Sequence, residues 1–303
     1  MWGGTPGPST TLSEADLPPL YRTSDRRAMA SQTESFRVVR TQLTVLLAAT
    51  GAATLAERLH SRVASAFAAA LYGLAIALGL HTSRRRARAH WQAHRAAAEL
   101  LKSLAWQYMV HGGPFRTGVR DPDALFAERL EERLRELRKV GWEDSRDGSA
   151  TRGAGQITPA MRRVRAKPFE ARRDIYLRDR VLEQFIWYRN RAAQAHRASA
   201  NWSRVTAALT LFALVAAVLR AAGVIGWDLT GLLSAAAAAG VAWQEVRRHR
   251  PLTYAHSLVE QDLDTLRIAM STTVTEEGWA EAVAEAERLV SPQHTDWLAR
   301  FGS

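Results

Sequence analysis

The chain has 303 residues, 47% of them hydrophobic, no cysteine and a formal net charge of +11. That length suffices for two domains or one elongated body, and the missing thiols exclude a disulfide frame and any thiolate metal site. Every basic residue except Lys102, Lys139 and Lys167 is arginine. The arginines flank apolar runs instead of forming one stripe between aromatics, which argues against nucleic acid and for anionic lipid headgroups, at roughly 1 kcal/mol per cation.

Residues 1–11 are rich in Gly, Pro and Thr and lack the basic start and apolar core of a secretory signal. Residues 1–19 read as a mobile tail. Thr23-Ser24-Asp25 then looks like a helix start with Ser24 as N-cap. No Pro or Gly follows until Gly51, so one helix should run straight into the first apolar run, 43–56. A polar turn (Glu57, Arg58, His60, Ser61, Arg62) separates it from a second run, 63–80.

The pattern recurs. Adding 162 maps Leu43 to Val205, Thr44 to Thr206, Leu47 to Leu209, Arg58 to Arg220 and Arg85, Arg86 and Arg88 to Arg247, Arg248 and Arg250. The second pair of runs is 205–219 and 229–243. Three of the four are short: 14 or 15 residues at ~1.5 Å each fall below the roughly 30 Å of a bilayer core. A soluble bundle of Ala-rich helices is therefore the rival architecture. Against it stand the pairing, the repeat and the lack of a polar face in 71–80 and 207–219. Ser65, Ala69 and Gly73, and likewise Ser234 and Ala238, stand four apart, a spacing that lets helices pack closely in lipid.

Cations set the orientation. The turns carry Arg58, Arg62 and Arg220. The hairpin ends carry Arg37, Arg40, Arg84, Arg85, Arg86 and Arg88, then Arg197, Arg204, Arg247, Arg248 and Arg250. The ends win twice, so both termini are expected in the cytoplasm.

Helices should also flank the hairpins. Behind the first, helix continues to Val110 with the stripe Ala97, Leu101, Leu104 and Tyr108. Behind the second comes its offset copy, Val259, Leu263, Leu266 and Met270, with a kink or break expected at Pro251. His111-Gly112-Gly113-Pro114 stops the first. A helix from Asp121-Pro122 carries Phe126, Leu130, Leu134 and Leu137, pairs Glu131 with Arg135 and ends at Gly141. Thr158-Pro159 opens a short basic helix. Leu177, Val181, Phe185, Tyr188, Ala192 and Ala195 line a long one, and Trp279, Val283, Ala286 and Val290 line the last.

Chemistry is hard to find. There is no phosphate loop, nucleophile elbow or His-Glu-x-x-His. His90 and His94 at i,i+4 read as a solvated helix face. The hydroxyls Thr44, Thr50, Thr206 and Thr210 are candidate pore-facing groups, although Thr also bonds back to its own helix. No catalytic, cofactor or metal residue is assigned.

At this point the arrangement resembles the SLATT families, the SMODS- and SLOG-associating two-span effector domains of bacteria. Leu17-Pro18-Pro19-Leu20-Tyr21, Asp25, Ala28, Gln32, Trp91, Glu99 and Leu100 carry the resemblance in the first half. Tyr176, Arg180, Gln184, Trp187-Tyr188, Ala192 and Ala195 carry it in the second. The resemblance implies two such domains in tandem, at 20–140 and 166–303, joined by a linker at 141–165. It also implies an oligomeric pore-forming effector of a bacterial defence system, controlled by a separately encoded nucleotide-signal sensor or synthase. The expectation is an all-α integral membrane protein of four spans with long cytosolic helices, a homo-oligomer in the inner membrane and not an enzyme. The alternative is a membrane-anchored scaffold that recruits a cytosolic partner without conducting.

Overall fold

The computed structural model describes residues 12–84, 87–139, 142, 153–226, 228–247, 249–272 and 274–291. Among these the fold is helical, with no strand: α1 (Pro19–Leu59), α2 (Arg62–Arg84), α3 (Ala87–Val110), α4 (Pro122–Lys139), α5 (Pro159–Arg165), α6 (Phe169–Tyr176), α7 (Glu183–Ala221), α8 (Leu229–Arg247), α9 (His249–Thr272) and α10 (Glu276–Leu289). A π turn, Leu177–Leu182, carries α6 into α7. The chain divides into two compact units. One, here the alanine unit, takes Ser31–Arg88 and Gln194–Arg250; the other, the aromatic unit, takes Met1–Ala30, Ala89–Ala193 and Pro251–Ser303.

The alanine unit holds the two hairpins. Thr50 and Tyr72 hydroxyls meet at 3.3 Å, which pairs α1 with α2. Gln244 Nε2 donates to Thr206 Oγ1 at 3.4 Å, which pairs α7 with α8. Phe36 and Trp243 rings lie 6.2 Å apart, so α1 and α8 also touch and the hairpins form one bundle. Every described buried residue in this unit is small: Ala49, Ala56, Ala68, Ala75, Ala213, Ala216, Ala237 and Gly240. Gly240 shows why: a Cβ there would stand 3.2 Å from Thr206 Oγ1. The large apolar side chains point the other way. Phe67, Ile76, Leu211, Phe212 and Leu214 are each about 60% exposed. In water this arrangement would waste the main driving force of folding. In hydrocarbon it costs nothing, and small residues let backbones approach for dispersion contacts.

The aromatic unit is built the ordinary way round. Its core gathers Trp106, Tyr108, Met109, Phe115, Phe126, Trp142, Tyr176 and Trp279 with the Leu130 and Leu134 face of α4. Rings meet edge to face, Tyr108 with Phe126 at 5.5 Å and Phe169 with Trp279 at 5.5 Å. The stripe Ala97, Leu101, Leu104 and Tyr108 is buried, as are Val259, Leu263 and Met270. α3 ends where His111 takes φ 59° and Gly112 N bonds back to Gln107 O at 2.8 Å. Gly112 is required by contact with α10: a Cβ there would fall 2.2 Å from Val283 Cγ1.

Several expectations change. α1 starts at Pro19, so Ser24 lies inside the helix, buried, and caps nothing. Pro suits a first helical position because its missing N–H is unused there, and the Leu20 amide is taken by Gln156 Oε1 at 2.9 Å. The tail expected over 1–19 is docked from residue 12 onward: Ser13 and Asp16 form a capping box and Leu17 is buried. Residues 1–11 lie outside the described residues. So do Gly141, the expected stop of α4, and Arg85 and Arg86, where helix was expected to continue.

Further changes lie in the helices. Glu131 pairs with Arg138 at 3.0 Å instead of with Arg135. At Pro251, where a kink or break was expected, α8 has ended at Arg247 and the proline lies in the first turn of α9, which starts at His249. His94 is 8% exposed, buried and not solvated; the His90 side chain lies outside the described part. Ser65, Ala69, Gly73, Ser234 and Ala238 are all exposed, and the inward faces use Ala68 and Ala75, and Ala237 and Gly240, instead. Three stretches are long and apolar enough to cross a membrane: Pro19–Leu59, Arg62–Leu80 and Phe169–Ala221. α8 is not among them, because alanine is only mildly apolar and Gln244, Glu245 and Arg247 crowd its end.

Two substitutions on neighbouring positions of α2 test the reversal. Ala75→Leu overpacks the bundle and should destabilise it by about 1–3 kcal/mol. Leu74→Ala, on the outward face, should change stability little. Thermal unfolding of the protein in detergent micelles would reveal both; equal losses would contradict the packing described.

Candidate functional site

The candidate residues fall in two separate places. In the alanine unit the four hydroxyls are engaged. Thr44 Oγ1 donates to Arg40 O at 2.9 Å, Thr50 Oγ1 to Leu46 O at 3.0 Å and Thr210 Oγ1 to Thr206 O at 2.9 Å. Thr206 Oγ1 accepts from Gln244, so it sits at the contact of α7 with α8. Two of them also meet a neighbouring helix, the Thr50 hydroxyl the Tyr72 hydroxyl of α2 and the Thr206 hydroxyl Gln244 of α8.

Of the flanking cations, Arg247 is described in full. It ends α8 and its guanidinium stands 4.6 Å over the Phe36 ring and 5.7 Å over Trp243. An aromatic pair holding a cation at the end of an apolar helix is what an interfacial anchor needs. Arg84 ends α2 and Arg88 and Arg250 lie in α3 and α9; their side chains, with Arg85, Arg86 and Arg248 entirely, lie outside the described residues.

The aromatic unit holds what sequence reading missed. Arg180, on the π turn, is 1% exposed and Glu287, on α10, is 3% exposed. Arg180 Nε and Nη2 reach Glu287 Oε1 and Oε2 at 3.0 and 2.7 Å, and Tyr176 Oη donates to Oε1 at 3.0 Å. Burial opposes the Arg180 charge, but the Glu287 carboxylate more than offsets it and holds the guanidinium above its usual pKa. Burial, and then the Glu287 charge, keep Tyr176 protonated, its pKa well above the ordinary value. The signal was present in the sequence: Glu287 stands four residues after Val283 on an otherwise apolar face, and Arg180 stands between Tyr176 and Val181.

Two histidines are held neutral. His256 packs edge-on against Trp187 and Tyr188, at 5.7 and 5.5 Å; burial, then Arg191, lower its pKa to about 4. His111 is lowered to about 4 by burial and by the charges of Arg165 and Arg172. Arg165 donates to the Tyr108 and Phe115 carbonyls and Trp279 Nε1 to Val110 O at 2.7 Å, so the open end of α3 is closed by α5 and α10. Among the described residues no cluster of three or more His, Asp or Glu has metal-site geometry.

Two family models match the chain, SMODS and SLOG-associating 2TM effector domain 3 over residues 18–173 and domain 1 over residues 176–297. The chain belongs to the SLATT families. It carries two SLATT domains in tandem, as the resemblance implied, and the boundary between the matches falls beside the π turn. Neither the comparison with curated proteins nor that with solved structures finds a match. The SLATT motif residues named from the sequence serve mainly as core: Leu17, Leu20, Tyr21, Tyr176, Arg180, Tyr188 and Ala192 are buried. Asp25 and Glu99 meet in Arg95 as a shared ion pair. The two-span domains and apolar helices mark a membrane protein.

Removing the Glu287 charge strands a buried guanidinium, so Glu287→Gln should cost roughly 3–5 kcal/mol. Paired replacement of Arg180 and Glu287 by Met and Leu should recover most of that loss in thermal unfolding. The histidines give a pH dependence of known sign. A folded pKa near 4, below the unfolded value of about 6.5, means the unfolded chain binds protons first. Stability is then full above about pH 6.5 and falls as the pH drops towards 4, by up to about 3 kcal/mol for a fully buried ring. His256→Gln should shrink the fall in melting temperature between pH 7 and pH 4; an unchanged fall would remove His256 from the account.

Proposed function

We propose that the chain is a membrane effector of a bacterial defence system whose two SLATT hairpins place four spans in the inner membrane. Both termini are cytoplasmic, and copies self-associate to form a regulated pore. One observation carries the reading: large apolar side chains face outward over an Ala and Gly interior. That interior is filled, so a conducting path would run between copies and not through one. The exposed Ser65, Ala69 and Gly73 face of α2 is the kind of surface on which helices meet in lipid. α8 serves as the fourth span by packing against α1 and α7, which lowers what it must present to lipid. Arginines at the hairpin ends, Arg247 among them, support the orientation and a preference for anionic headgroups. Its trigger would come from a separately encoded nucleotide-signal sensor or synthase.

A second reading, a membrane scaffold that recruits a cytosolic partner without conducting, draws on the engaged hydroxyls: Thr44, Thr50 and Thr210 already bond to their own helices. Reconstitution into dye-loaded liposomes separates the two. The pore reading expects release that rises with oligomer content and drops at least tenfold in a double variant of two exposed hydroxyls, Thr44→Leu with Thr210→Leu. Vesicles that stay tight at every protein density would leave the scaffold.

A further inference from the structure

Beside the loop that ends α3 lies a buried guanidinium whose donors are not all used. Arg172 on α6 is 4% exposed. Its Nη2 donates to Glu276 Oε1 at 3.2 Å, but Nε and Nη1, shut off from solvent, meet no acceptor among the described residues. A buried charged donor left unmade is costly, so such groups are normally satisfied. The ionised groups that act on it are mixed: the Glu276 and Glu170 carboxylates favour the guanidinium, while Arg165 and Arg172 repel each other. Arg165 is spent on the Tyr108 and Phe115 carbonyls, and its charge acts on both Arg172 and His111. The Glu276 side chain is 52% exposed, which makes it a weak counter-charge. Glu276 also opens α10, whose N-cap residue Thr275 makes no side-chain cap bond. The first amides and the positive end of that helix therefore lack a capping side chain beside the guanidinium.

We propose that Arg172 and the start of α10 bind a phosphate-class oxyanion, with Glu276 as the carboxylate it displaces. Guanidinium donors and open helix amides are the two groups that recognise such an anion best. The bound ion would take the two idle donors of Arg172.

Calorimetric titration of the full-length protein in detergent with inorganic phosphate, against chloride at equal ionic strength, tests this. Saturable phosphate binding is expected, at least tenfold weaker in Arg172→Gln. Glu276→Gln, a change at an exposed side chain, should bind phosphate at least threefold more tightly, and it decides the matter if Arg172→Gln does not fold. Parallel titration with phenyl phosphate separates a site for the free ion from one for a phosphomonoester, according to which binds more tightly. No saturable binding by the wild type, or binding unmoved by the Glu276 change, overturns the proposal.

Discussion

The structure depends on a reversal of the usual packing rule in one of its two units. Alanine and glycine fill the interior of the hairpin bundle while Phe67, Ile76, Phe212 and Leu214 face out. At roughly 25 cal/mol per Å² of apolar surface, a chain in water would gain by turning such side chains inward. A chain in lipid gains nothing by it, and instead draws its helices together by dispersion and shape. That single constraint explains why the apolar runs are alanine-laden and why the described buried residues of the unit include no aromatic side chain.

The aromatic unit obeys the ordinary rule and binds the two SLATT domains into one body. Its core takes α3 and α4 from the first matched range and α10 from the second. Polar bonds cross between the two matched ranges, Trp279 on the Val110 carbonyl and Arg172 on Glu276, while Arg180 with Tyr176 holds Glu287 within the second. Buried charge pairs are poor sources of net stability, but they penalise alternatives heavily. Here one sits on a π turn, a distortion that rotates Asp179, Arg180 and Val181 all into the interior.

Much of this was legible in the sequence, for physical reasons. Helical stripes announce themselves by spacing, and Ala97, Leu101, Val283 and their fellows lie where the period puts them. The 162-residue offset revealed the duplication. Boundaries were less legible: Pro19 opens α1 although Ser24 has the better capping chemistry, because the Leu20 amide is satisfied by Gln156, 136 residues away. Long-range partners leave no local trace. For the same reason the pairing of Arg180 with Glu287 went unread, and Glu131 was given the wrong arginine. Direction is also invisible to a period: Ser65, Ala69 and Gly73 share a face, but only packing decides that Ala68 and Ala75 turn inward.

Because the chain lacks cysteine, single cysteines can report on what surrounds the alanine unit. Intact membranes carrying Phe67→Cys, Ile76→Cys or Phe212→Cys would be treated with a water-soluble maleimide, beside an Arg116→Cys control. If lipid surrounds the bundle, the three outward positions react only after solubilisation and denaturation, while the control reacts at once. Prompt labelling of all three in untreated membranes would mean that water, and not hydrocarbon, covers those side chains, and the account would fail.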